Sequence, residues 1–256
     1  MGIFQFPDLR VIFFAFLLPL IIFTGCSSTS KLVKGEQLGV EVSYLKGMDS
    51  YEHGMYEEAE AAFKRIVEDY SLSPYAVDAR LMLADVYYAE EKYDDAGAQY
   101  TTFYTFHPSH PKAPYALFQK GMGHLKEVLS IDRDQGSTRK ALFAFEDLMG
   151  NYPDSPYSRK AREMIVFLKG RLAQRELYVG GFYFKMKNYK GALSRFGSVL
   201  KDYSDTEVVD EALYYIGESY IMLGERKRAK DAFSTLVEEY PGSPYTAAAK
   251  NRLNEG

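Results

Sequence analysis

Residues 217–245 read GESYIMLGERKRAKDAFSTLVEEYPGSPY, and the same order of residue types returns along the rest of the 256-residue chain. Aligning on Ala229 finds four further alanines, Ala59, Ala96, Ala141 and Ala192. Four residues after each comes an aromatic: Phe63, Tyr100, Phe145, Phe196 and Phe233. Eleven after come Tyr70, His107, Tyr152, Tyr203 and Tyr240, and twenty after come Ala79, Ala116, Ala161, Ala212 and Ala249. Twelve before the aligned alanine stands a small residue in four of the repeats: Gly47, Ala84, Gly180 and Gly217. Two helices approach closely only where side chains are small, and aromatics fill the space between neighbouring pairs. One such pair cannot bury its apolar face alone, so stacked units share a continuous core.

The Ala59–Ala96 and Ala192–Ala229 spacings are both 37 residues. The turns between units carry Ser73-Pro74-Tyr75, Ser155-Pro156-Tyr157 and Ser243-Pro244-Tyr245, with His110-Pro111 in the corresponding place of the second unit. Serine there is expected to cap the next helix, with proline at its first position, where a missing N–H costs little. Strand signals are scarce. The pattern looks like the tetratricopeptide repeat and predicts an all-α fold: a solenoid of five helix pairs.

Two intervals break the period. Ala96 to Ala141 is eight residues too long, and because Gly121 still fits the small column, the excess falls near residues 128–137 (VLSIDRDQGS). Ala141 to Ala192 is fourteen too long, and that excess, near residues 162–178, is rich in helix formers. Met164, Phe167, Leu168, Leu172 and Leu177 predict an apolar stripe on a lengthened helix joining repeats one to three with repeats four and five. The expected organisation is a leader over 1–25, a tether over 26–35, repeats one to three over 36–161 (a substrate- or signal-binding module), and the connector with repeats four and five over 162–256 (a partner-docking module).

At the N-terminus, an apolar run from Val11 to Phe23 ends in Thr24-Gly25-Cys26, and Cys26 is the sole cysteine. The run has the length of a signal-peptide core and is too short for a membrane-spanning helix. The segment resembles the lipobox of bacterial lipoproteins, which implies an N-terminal diacylglyceryl and N-acyl lipid on Cys26 after cleavage before it. Several acyl chains together give stable anchoring. Ser27 follows, with no aspartate there, which in that analogy favours the outer membrane, facing the periplasm. Ser27 to Lys34 reads as a flexible tether. The formal net charge of −4 argues against a nucleic-acid protein.

The Cys-anchored tether, the five repeats with Ser-Pro-Tyr turns, the Asp132-Arg133-Asp134-Gln135 insert and the long connector together resemble the BamD family of outer-membrane β-barrel assembly lipoproteins. The resemblance runs from the leader to the last repeat. It implies a non-enzymatic binding protein that docks on the POTRA domains of the barrel subunit BamA through its C-terminal repeats, alongside other assembly lipoproteins. It also implies that the N-terminal repeats receive unfolded barrel substrates. One place before the repeat aromatic stand Ala62, Gln99, Ala144, Arg195 and Ala232, and Arg195 is the cation in that column. The resemblance gives an arginine there a part in the BamA contact; a local ion pair is the plainer alternative. Asp132, Arg133, Asp134 and Gln135 form either a capped, solvated loop or a surface that clamps a partner through Arg133. Tyr51, Tyr56, Tyr87, Tyr88, Phe103 and Tyr104 are candidates to line an apolar groove for an extended peptide. A repeat scaffold for Tol–Pal or peptidoglycan machinery, or a secretin pilot, is the alternative; the first is expected to carry fewer repeats and to lack the Asp132–Gln135 insert, and the second to be shorter.

Enzyme and metal readings find little support. His53, His107, His110 and His124 fall in no ligand motif, there is no HExxH and no phosphate-binding glycine loop, and Gly121-Met122-Gly123 fits the repeat. No cofactor is expected apart from the lipid.

Overall fold

The computed structural model describes residue 2 and residues 28–255, with side chains from Gln37 onward. Within that range the chain is an all-helical solenoid of eleven helices: α1 (Ser28–Glu52), α2 (Tyr56–Asp69), α3 (Ala76–Ala89), α4 (Tyr93–Phe106), α5 (Ala113–Lys126), α6 (Gly136–Asn151), α7 (Pro156–Lys185), α8 (Tyr189–Asp202), α9 (Val209–Met222), α10 (Arg226–Glu239) and α11 (Thr246–Asn254). Each helix packs chiefly on the next in sequence. The first ten make the five expected pairs, and α11 covers the last of them.

Each sequence column has a structural task. The aligned alanines and the aromatics four residues later are fully buried or nearly so. Opposite the aromatics lie the small residues. A Cβ added at Gly47 would stand 2.9 Å from the Phe63 ring, at Gly121 2.6 Å from Phe145, at Gly180 2.5 Å from Phe196 and at Gly217 2.4 Å from Phe233. All are shorter than the roughly 3.5–4.0 Å of ordinary carbon contact, so the glycines exist to let these rings sit against helix backbone. Tyr70, His107, Tyr152, Tyr203 and Tyr240 are the residues that close the second helix of each pair. Their backbone N–H groups donate to Ile66, Phe103, Leu148, Val199 and Leu236 and satisfy carbonyls the helix end would leave free.

The Ser-Pro-Tyr turns repeat one hydrogen bond, but only Ser155 caps its helix as expected; in front of α3 and α11 the N-cap positions are Tyr75 and Tyr245, which have no side-chain cap. Ser73, Ser155 and Ser243 each accept from the backbone N–H two residues on, and in the second unit the His110 ring Nδ1 accepts from the Lys112 N–H in their place. Only Pro156 is the first residue of its helix; α3 and α11 begin two residues after Pro74 and Pro244. The backbone bonds Ala76→Ser73, Ser158→Ser155 and Thr246→Ser243 are alike, so one tight turn serves all three and the helix boundary alone moves.

The connector is helical throughout, as α7 spans 30 residues. The expected stripe is corrected at Phe167, which is 49% exposed, while Leu168, Leu172 and Ala173 face the core. Those three fall on one face of a 3.6-residue turn, and Phe167 lies outside it. The division expected at residue 161 falls inside this helix. A second correction concerns the tether: α1 already includes Ser28 to Lys34. The segment holds no proline, and extending a formed helix adds a hydrogen bond for each residue fixed. Cys26 and the leader lie outside the described residues, apart from Gly2. Among the described residues, no helix is long and apolar enough to cross a membrane.

Candidate functional site

The two departures from the period meet in space. The first is the loop between α5 and α6, and its backbone is held from within. Gln135 is 3% exposed; its side-chain amide donates to the carbonyls of Ser130 and Arg133 at 3.0 Å each, and its Oε1 accepts from the buried Thr138 hydroxyl at 2.9 Å. Asp134 Oδ1 accepts from the Gly136 N–H at 2.7 Å and so caps α6. Asp132 accepts from the Ser130 hydroxyl, and that bond, its own backbone N–H and nearby Arg133 and Arg175 hold its carboxyl below the usual range.

From outside, the loop is gripped by α7. Arg171 donates to the carbonyl of Leu129 and Arg175 to the carbonyl of Ile131, the latter at 2.9 Å. Arg171 and Arg175 stand one turn apart on the stretch that the second excess added. The sequence reading missed both. Their signal was a pair of cations at i and i+4 inside the insertion, among other charged residues such as Lys169 and Glu176, and nothing local says which carbonyls such a pair meets.

Arg195 on α8 completes the cluster. Its Nη1 donates to Glu176 Oε2 at 3.2 Å, and the Glu176 side chain is 11% exposed whereas that of Arg195 is 44% exposed. The ion-pair alternative for Arg195 is therefore present, yet a guanidinium has five N–H donors, so the pair leaves others free. Arg133, Arg139, Arg175 and Arg195 face a common polar cleft of about 370 Å³ that also takes in Asp134 and Glu176. Among the described residues, Arg133 and Arg139 have no carboxylate within ion-pair distance. The cleft thus offers two planar cations, Arg133 and Arg139, without carboxylate partners beside the paired Arg195, and such groups suit carboxylates through bidentate N–H···O contacts.

The predicted site residues therefore divide. Arg133, Asp134 and Arg195 come together at the cleft, Asp132 sits exposed on the loop, and Gln135 is the internal brace that shapes it. The candidate groove aromatics divide as well. Phe103 is buried in the core, and Tyr51, Tyr56, Tyr87, Tyr88 and Tyr104 are half-buried. Near them, Tyr100 and Tyr115 hydroxyls donate to Asp85 at 2.6 and 2.9 Å. Burial pushes the Asp85 carboxyl up, against the lowering effect of those two hydroxyls.

A family model described as YfiO, outer membrane lipoprotein, matches residues 37–233, which include the whole cleft. The chain belongs to this family. Family members similar to it are named outer membrane protein assembly factor BamD. One from Caulobacter vibrioides is 28% identical over 233 residues, covering 90% of this chain and 76% of its own. One from Haemophilus influenzae is 31% identical over 217 residues, covering 81% and 82%. One from Rickettsia prowazekii is 29% identical over 206 residues, covering 80% and 82%. Among solved structures, a thermophilic tetratricopeptide protein of Thermus thermophilus aligns over 84% of this chain and 97% of its own at 17% identity, with a TM-score of 0.37.

Proposed function

We propose that this chain is a lipid-anchored, non-enzymatic scaffold of outer-membrane β-barrel assembly. In this reading Cys26 carries the lipid and holds the solenoid to the periplasmic face of the outer membrane. The C-terminal repeats dock the POTRA region of the barrel subunit, and the N-terminal repeats engage unfolded barrel substrates. Other assembly lipoproteins join the same complex. Family membership supports the assembly role. What carries the docking claim is the meeting of the two insertions around Arg195, because it brings Arg133 of the first and Arg175 of the second to one cleft with Arg139 and Arg195 of the repeats.

The chemistry expected of the partner follows from the cleft. Forked cations half open to solvent recognise exposed carboxylates, and such contacts set register and association rate as well as affinity. Arg133 and Arg139 are the cleaner residues to change. Reversing Arg195 would bring a second carboxylate beside the nearly buried Glu176 and disturb the fold along with the surface. The double variant Arg133→Glu, Arg139→Glu is expected to keep the melting temperature. It should weaken binding to the isolated POTRA region by at least about tenfold, or 1.4 kcal/mol, at low salt, with the deficit shrinking as salt rises. Unchanged binding by this folded variant would count against the cleft as the docking surface.

A further inference from the structure

A second polar cluster lies where α4 begins and α5 ends. His124, in the last turn of α5, is 8% exposed, and its Nδ1 is buried without a hydrogen-bond partner. A buried ring nitrogen left in that state costs free energy unless something occupies it. The Cε1–Nε2 edge of the ring lies over Gly97 of α4, where an added Cβ would stand 4.0 Å from both atoms. Two carboxylates face the same point. Glu127, the residue that closes α5, brings Oε2 to 3.6 Å from His124 Nδ1, just outside hydrogen-bond range. Asp94, in the first turn of α4, is the third: one ligand atom from each residue lies within 4.8 Å of the others.

An imidazole nitrogen with two carboxylate oxygens is a donor set for a divalent first-row transition ion. Oxygen-seeking Ca²⁺ and Mg²⁺ have no use for the ring. Tetrahedral Zn²⁺ with bonds near 2.0–2.2 Å requires its ligand atoms roughly 3.4 Å apart, so a set lying within 4.8 Å must contract by up to about 1.4 Å. Asp94 and Glu127 are free to move that far, since their side chains are 80% and 31% exposed. The opposing charges are lysines. Lys140 of α6 lies 3.9 Å from Asp94 with its own side chain 60% exposed, and Lys120 stands one turn back on α5. Lys140 can swing into solvent when a cation arrives.

We propose that Asp94, His124 and Glu127 form a binding site for a divalent transition-metal ion, with Zn²⁺ the best match and solvent completing its shell. Binding would tie the start of α4 to the end of α5. Glu127 is where the loop bearing Arg133 begins, so an ion there would also fix one root of the arginine cleft.

The test is calorimetric titration of the full-length chain, stripped with chelator, with ZnCl₂, and with CoCl₂ to read the visible spectrum of the bound ion. One equivalent is expected to bind, with no competition from Mg²⁺. Asp94→Asn and Glu127→Gln should each lower Zn²⁺ affinity by at least about tenfold while leaving the metal-free melting temperature unchanged, and Lys140→Gln should raise affinity. Absence of stoichiometric Zn²⁺ binding by the parent chain would overturn the proposal. So would equal binding by folded Asp94→Asn.

Discussion

The adjacent glycines Gly180 and Gly181 on α7 allow the packing account to be tested within one turn of helix. In Gly180→Ala the new methyl would stand 2.5, 2.7 and 2.9 Å from three atoms of the Phe196 ring. The ring cannot retreat, because it is fully buried and stacked on Tyr215 at 5.5 Å, and Tyr215 is itself held by Phe184 and Tyr245. Overpacking of this kind costs about 1–3 kcal/mol. Against it stands the gain of about 0.8–1.0 kcal/mol when alanine replaces glycine inside a helix. The net expectation runs from about zero to about 2 kcal/mol of destabilisation. Gly181→Ala places its methyl where no atom lies within 4 Å, so only the propensity gain remains. The two variants should therefore differ by about 1–3 kcal/mol. For a chain of this size that is roughly 2–12 °C in melting temperature, followed by far-ultraviolet circular dichroism, with Gly181→Ala above the parent. Equal shifts in the same direction would refute the claim that the glycine column exists to seat the aromatic column.

Other expectations concern strain, charge and the anchor. Lys187 has φ of 59° at the turn within the fourth unit, where the first and fifth units use Gly54 and Gly224 at φ of 73° and 77°; Lys187→Gly should raise stability by about 1 kcal/mol, read as a higher melting temperature. For Asp85, a folded-state pKa above the unfolded value means that stability present in acid is lost as pH rises through the folded pKa. Asp85→Asn keeps an acceptor for Tyr100 and Tyr115, so its melting temperature relative to the parent should climb as pH is raised from acid to neutral; a pH-independent difference would exclude the burial cost. Cys26→Ala should leave the melting curve unchanged but move the protein from membranes to the soluble fraction, and palmitate label persisting on the variant would sink the lipid assignment.

What could be read from the sequence is what repeats. A column such as Gly180 against Phe196 is a contact between residues sixteen apart, repeated often enough to show its spacing, and it settled the helix pairs and their order. Even there, chemistry was substituted without a trace in the pattern. His110 takes the place of a serine in the turn, and Glu91 and Lys187 adopt the left-handed backbone that Gly54 and Gly224 advertise openly. The insertions were located because they break the period, yet their meeting was hidden, because Arg171 and Arg175 reach carbonyls more than forty residues away. Gln135 illustrates the limit for the site: within a polar loop its type fits a surface contact, and only the fold turns it inward to Thr138. His124 was set aside for want of a ligand motif; Asp94, thirty residues earlier, joins it only through the packing of α4 on α5.

The central claim is that the solenoid is a component of the barrel-assembly machinery held through its arginine cleft. The most direct measurement is affinity capture of the full-length chain from detergent-solubilised outer membranes, with quantitative mass spectrometry of what accompanies it, beside the Arg133→Glu, Arg139→Glu variant. The account predicts a POTRA-bearing barrel in near-stoichiometric amount with the parent and its depletion with the variant. Tol–Pal components, a secretin or a peptidoglycan synthase in its place would contradict it.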